Sequence, residues 1–150
     1  MKQHDYQSSV AARITPQEAG DRISRVVEWW TKGIEGHCEK PGDRFTVRFG
    51  DTFVDFEVVE LIPGRRIEWR VVDCNLHWIS DKKEWKDTSV VWEISADDGA
   101  TRVTMTHRGL LPEVECYKDC KVGWDFYVGE SLRKLLTDNK GLPDGQRRKG

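Results

Sequence analysis

Apolar and polar positions alternate with a period of two through most of the chain before Pro112, and recur every three to four residues after it. The first alternating run is Tyr6–Arg13, with Ser8, Val10 and Ala12 opposite Gln7, Ser9 and Ala11. It stops at Thr15–Pro16–Gln17–Glu18, a helix start in which Thr15 caps, Pro16 opens the first turn and Glu18 closes a capping box. That helix passes through Ala19 and Ile23, and a second short turn carries Val26, Val27, Trp29 and Trp30 to Thr31. Strands are predicted at Ile34–Cys38, Arg44–Phe49, Thr52–Leu61 and Arg66–Cys74, separated by turns at Pro41–Gly42–Asp43, Gly50–Asp51 and Pro63–Gly64. Asn75–Lys86 reads as a loop or strand extension with Trp78 and Trp85 among charges. Thr88–Ala96 and Thr101–Gly109 form a hairpin about Asp97–Asp98–Gly99–Ala100.

From Pro112 to about Thr137 the spacing of Tyr117, Cys120, Trp124, Tyr127–Val128, Leu132 and Leu135–Leu136 predicts one long amphipathic helix, stopped by Asn139, Gly141 and Pro143. Clean alternation in the strands means one wet and one buried face, hence an antiparallel sheet covered on one side. The economical arrangement is an α+β, helix-grip fold: a curved antiparallel sheet around the C-terminal helix, with two short helices after the first strand. Residues 1–143 make one domain, and 144–150 a disordered basic tail.

Composition narrows the function classes. A net charge of –2 gives no drive towards nucleic acid, and no apolar run reaches membrane-spanning length, so no membrane insertion and a cytoplasmic location are expected. Cys38, Cys74, Cys116 and Cys120 contain no C-x-x-C pair, and neither they nor His37 and His77 have metal-ligand spacing. No phosphate loop, dinucleotide fingerprint or nucleophile elbow occurs, and no cofactor is called for. Seven tryptophans in 150 residues are a heavy aromatic load, suited to a wide core or to a pocket for a bulky ligand.

The hairpin Val91–Trp92–Glu93–Ile94 with Gly99–Ala100–Thr101–Arg102–Val103–Thr104–Met105–Thr106–His107–Arg108–Gly109–Leu110 is similar to the closing hairpin of the SRPBCC superfamily. Gly123–Trp124–Asp125–Phe126–Tyr127, Ser131–Leu132 and Leu135 resemble its C-terminal helix, specifically in the group named for the activator of the heat-shock-protein-90 ATPase. Thr15–Pro16–Gln17–Glu18, Trp29–Trp30 and the stretch from Val58 to Trp69 fit the same group. The resemblance implies the START-like fold and an apolar cavity between sheet and helix. Among relatives of this kind are lipid and hormone carriers, polyketide cyclases, drug-sequestering proteins and chaperone regulators.

The inward faces of strands and helix then nominate a ligand site: Val54, Phe56, Trp69, Val71, Trp92, Met105 and His107 from the sheet, and Tyr117, Cys120, Trp124, Tyr127 and Val128 from the helix. Val58, Ile67, Ile94 and Val103 share those faces. The expected function is non-catalytic binding of a small hydrophobic or aromatic molecule, such as a lipid or polyketide. A cyclase or aromatase using His107 with Tyr117 or Tyr127 is the catalytic alternative, and a chaperone-contacting module is the third. Asp73 shares the parity of Trp69 and Val71 and is expected at the pocket mouth or facing solvent. Trp78 and Trp85 are candidates for a lip over it.

Overall fold

A computed structural model describes residues 5–77, 79–112 and 114–144. Seven strands form one antiparallel sheet in the order β1-β7-β6-β5-β4-β3-β2. They are β1 (Tyr6–Ala12), β2 (Ile34–Gly36), β3 (Arg44–Phe49), β4 (Thr52–Ile62), β5 (Arg66–Asn75), β6 (Ser89–Asp97) and β7 (Ala100–Arg108). Chain neighbours pair by hairpins from β2 to β7, and β1 returns to β7, with Tyr6 opposite His107 and Ala12 opposite Thr101. The β6–β7 loop is two residues long, with Asp98 and Gly99 both at positive φ (52° and 83°), as a type I′ turn requires.

Two irregularities bend the sheet in its middle. Val59 in β4 and Val72 in β5 are extra residues in the β4–β5 ladder; such bulges increase local twist and reverse the side-chain parity beyond them. Val71 and Cys74 are therefore both buried, and Asp73 turns outward to an ion pair with Lys83 at 2.9 Å. The shared parity of Asp73 with Trp69 and Val71 is thus corrected.

Helix α1 (Pro16–Ile23) starts with the capping box: Thr15 accepts the Glu18 N–H and the Glu18 carboxylate accepts the Thr15 N–H. Helix α2 (Val26–Trp29) is a single turn that delivers Trp29 and Trp30 to the interior. The terminal helix consists of α3 (Tyr117–Phe126), a π-helical segment (Tyr127–Leu132) and α4 (Arg133–Asp138). It begins five residues later than the expected Pro112. Residues before Tyr117 instead turn against the β5–β6 loop, where the Glu84 carboxylate accepts the N–H groups of Glu115 and Cys116 at 2.8 Å each. Cys116 is the N-cap of α3, so its orphan N–H, together with that of the preceding Glu115, is satisfied from another segment rather than by a further turn. The helix ends at Asn139 in the left-handed conformation (φ 59°), as the sequence predicts for an Asn stop.

The apolar face of this helix, Cys120, Trp124, Val128, Leu132, Leu135 and Leu136, is buried against α2 and the inner face of the sheet. The middle of the enclosed space is filled with rings. Trp29, its N–H bonded to the Ile23 carbonyl at 3.0 Å, stacks on Trp30 and meets Trp92 edge-on. Trp92 meets Trp69, and Trp69 meets Phe56 and Phe45, at centroid separations of 5.0–5.6 Å. Beyond the helix, Asp144 accepts hydrogen bonds from the Thr31 hydroxyl and the Lys32 N–H, so this residue, assigned to the tail, is tied to the body. The rest of the expected tail, 145–150, lies outside the described residues.

Candidate functional site

At one end of the grip, beyond the ring-filled centre, a cavity of about 260 Å³ remains between sheet and helix. Four segments wall it. Trp30 comes from the end of α2, and Phe49, Thr52 and Val54 come from the β3–β4 hairpin. Leu76 and Trp85 come from the β5–β6 loop, and Asp119, Cys120, Gly123, Trp124 and Tyr127 from the helix. Gly123 leaves part of this space open, since a Cβ built there meets nothing within 4 Å.

The loop is held over the cavity by a reciprocal clasp. Glu84 takes the helix-start N–H groups, and Glu115 at that helix start accepts the Ser80 and Asp81 N–H groups at 2.9 and 3.1 Å. These bonds hold the Glu115 carboxyl below the usual carboxylate range. Trp85 is thereby pressed inward, parallel to Trp124 (5° between planes) and edge-on to His107. Its indole donates to the Cys116 thiol at 3.3 Å. The hydrogen bond between Cys116 and Cys120, with burial, keeps the Cys116 proton far above the ordinary thiol range. Trp78, the other candidate for the lip, lies outside the described residues.

His107 is fully buried and its two nitrogens are both occupied. The Trp124 indole can only donate, so Nδ1 accepts it at 3.1 Å and the ring proton sits on Nε2. Nε2 then donates to the Thr88 hydroxyl at 2.9 Å, which in turn donates to the Trp85 carbonyl at 2.6 Å. Burial without a compensating charge pushes the imidazole pKa down to about 3. His107 fixes the two stacked indoles behind the cavity wall and does not reach into the cavity.

Of the nominated residues, Val54, Cys120, Trp124 and Tyr127 line the cavity. Phe56, Trp69, Val71, Trp92, Met105 and Val128 are fully buried in the packed centre, and half-buried Tyr117 packs at its edge. The spacing of inward positions does not single out Trp30, Phe49, Thr52, Leu76, Trp85, Asp119 and Gly123, which the loops and the helix flank supply. Trp85, a candidate for the lip, does line the cavity, whereas Trp30 stands out in the sequence only as a tryptophan of the Trp29–Trp30 pair. Among the described residues no group of three or more His, Cys, Asp or Glu side chains gathers as a metal site, and no helix is long and apolar enough to cross a membrane.

A bent antiparallel sheet closed on one terminal helix, with an aromatic cavity left at one end, defines a helix-grip protein of the START-like type. The chain belongs to the family described as Activator of Hsp90 ATPase homolog 1-like protein, whose sequence model matches residues 22–137. In fold it is similar to the Aha1 dimer from Colwellia psychrerythraea, solved in solution, at 21% identity and a TM-score of 0.74, over 94% of this chain and 100% of that one. It is also similar to DynU16, a protein of the dynemicin biosynthetic locus, at 22% identity and a TM-score of 0.68, over 90% of this chain; the chain spans 48% of DynU16. CalU16 from Micromonospora echinospora shares the fold at 12% identity and a TM-score of 0.59, over 86% of this chain and 83% of that one. Comparison with curated proteins returns no match.

Proposed function

We propose that this protein binds a small hydrophobic or aromatic molecule, without catalysis, in the cavity between the helix and the open end of the sheet. The observation that carries the reading is a cavity of about 260 Å³ walled by eight apolar or aromatic side chains, with Thr52 and Asp119 as its polar groups. A volume of that size suits a molecule of two or three rings, at the lower edge of the usual range for ligand pockets. A larger groove of about 420 Å³ between α1 and the β4–β5 turn mixes Leu61, Ile62, Pro63 and Ile67 with Gln17, Asp21, Ser24, Arg25 and Glu39, and suits an apolar ligand less well than the aromatic cavity.

The neighbourhood of DynU16 in fold space supports a polycyclic or polyketide-like ligand, and it also supports the cyclase alternative. Catalysis by His107 is disfavoured by its geometry, because neither ring nitrogen is available to a ligand. Family membership supports contact with a chaperone as the other reading of partner.

Titration with a panel of flavonoids, fatty acids and aromatic polyketides, followed through indole Nε1–H resonances, tests the proposal. Saturable shifts at Trp30, Trp85 and Trp124 are expected with Trp69 unmoved. A panel that leaves all three unmoved would rule the proposal out.

A further inference from the structure

We propose that β1 is an interface: it pairs antiparallel, about a two-fold axis, with β1 of a second copy of this chain, so that one sheet runs through both. Strands β1 and β2 are the two edges of the sheet, and they are finished differently. β2 is three residues long, ends at Gly36 with φ 97°, and carries Glu35 in an ion pair with Arg48 at 2.9 Å. Short length, charge and an irregular backbone keep an edge from adding a strand. β1 has none of these. Its seven residues, Tyr6–Ala12, include no charge and no proline, and they pair with β7 in unbroken register. Alternate N–H and C=O groups of an edge strand point away from its neighbour. Apart from the Tyr6 N–H, which donates to the Leu110 carbonyl at 2.9 Å, no backbone group of β1 bonds to a segment other than β7 among the described residues. Gln7 and Ser9 turn their side chains onto Thr106 and Thr104 of β7, at 2.9 Å each, rather than across that outer row.

The residues of β1 select their own copy as the partner. An antiparallel pairing centred on Ser9 sets Tyr6 opposite Ala12, Gln7 opposite Ala11 and Val10 opposite Ser8 of the second copy, a larger side chain against a smaller one each time. Both members of each pair have the same parity. The buried row Tyr6, Val10 and Ala12 therefore continues along the inner face of the joint sheet, and the exposed row Gln7, Ser9 and Ala11 along the outer. The same register brings Asp5 towards Arg13 of the second copy, and symmetry repeats that pair at the other end. Both residues are exposed. Asp5 spends one carboxylate oxygen on the Gly109 N–H at 2.9 Å, and Arg13 has no side-chain partner among the described residues. A shift of two residues in either direction loses both charge pairs. Opposite charges facing each other at the two ends thus fix the register of a ladder that is uncharged between them.

Sedimentation equilibrium from micromolar to millimolar protein tests the pairing, with amide hydrogen exchange to locate it. The wild type is expected to pass from monomer to dimer, and exchange in β1 to slow in step while β2 is unchanged. Ser9→Lys sets two ammonium groups across the axis and is expected to raise the dimer Kd about tenfold or more, with an unchanged circular dichroism spectrum. Arg13→Glu and Asp5→Lys are each expected to dimerise more weakly than the wild type. An equimolar mixture of these two is expected to recover the dimer, because only the mixed pair sets opposite charges at both ends; this arm decides the matter if Ser9→Lys does not fold. A wild type that stays monomeric overturns the proposal and leaves the edge to strands of other proteins. A dimer that forms without protecting β1, or that folded Ser9→Lys leaves intact, overturns it by placing the contact elsewhere. Charge variants that stay apart when mixed overturn the register.

Discussion

His107 cannot take up a proton without breaking a buried hydrogen bond, because Nδ1 already accepts the Trp124 indole and Nε2 already carries its proton to Thr88. Its folded pKa of about 3 lies below the ordinary imidazole value of 6.5, so the unfolded chain binds the proton first. The stabilisation is complete above about pH 6.5 and is lost as the pH falls towards 3, at about 1.4 kcal/mol per pH unit for one proton. His107→Gln keeps a donor and an acceptor but cannot titrate. In urea unfolding between pH 7 and pH 4.5, the wild type should lose stability more steeply than this variant. Parallel slopes would show that the imidazole is not buried in its neutral form. The same residue marks a limit of sequence reading. Its inward parity on β7 is visible in the alternation, whereas both partners that neutralise its chemistry come from segments 17 and 19 residues away.

The terminal helix shows which element features are written in the chain. Its apolar spacing and its Asn139 stop are legible, and so are the capping box of α1 and the Asp98–Gly99 turn, because each is a local pattern with a local cause. The clasp to the β5–β6 loop is not local, and it moves the helix start to Tyr117. Glu115→Gln should weaken the bonds to the Ser80 and Asp81 N–H groups, so hydrogen exchange at those two amides should speed up while β6 and β7 stay protected. Unchanged exchange at Ser80 and Asp81 would mean that other contacts hold the loop. Ser131, inside the π-helical segment, is likewise fixed from outside the helix: its hydroxyl donates to the Trp29 carbonyl at 2.6 Å and accepts the Leu142 N–H at 2.7 Å. Ser131→Ala leaves both groups unpaired in the interior and should cost about 1–3 kcal/mol in chemical denaturation. A loss within experimental error would assign the seating of the 141–144 segment to Asp144 instead.

For the whole molecule, periodicity reports which side chains face inward and is silent on how far the interior is filled. Trp29, at the end of a helix of one turn, fills the centre of the grip and Trp30 after it closes the near wall of the cavity, so Phe56, Trp69 and Trp92 become core and the remaining space is displaced to the end framed by Phe49, Leu76 and Trp85. Loop residues carry no period that announces burial, and the bulge at Val72 breaks the period where it exists. Gly123 offers a way to separate the cavity from the fold, because it sits mid-helix at the cavity wall with open space beyond its Cα. Gly123→Ala should stabilise the protein by about 0.5–1 kcal/mol, through lower backbone entropy in the unfolded chain. Gly123→Phe projects a ring into the cavity and should leave the circular dichroism unchanged while excluding ligand. A bound ligand at a hundred times its Kd adds about 2.7 kcal/mol to stability. The wild type and Gly123→Ala should therefore both show a ligand-dependent rise in Tm, and Gly123→Phe should show none. A rise of equal size in Gly123→Phe would place the ligand elsewhere, with the groove between α1 and the β4–β5 turn as the next site to probe.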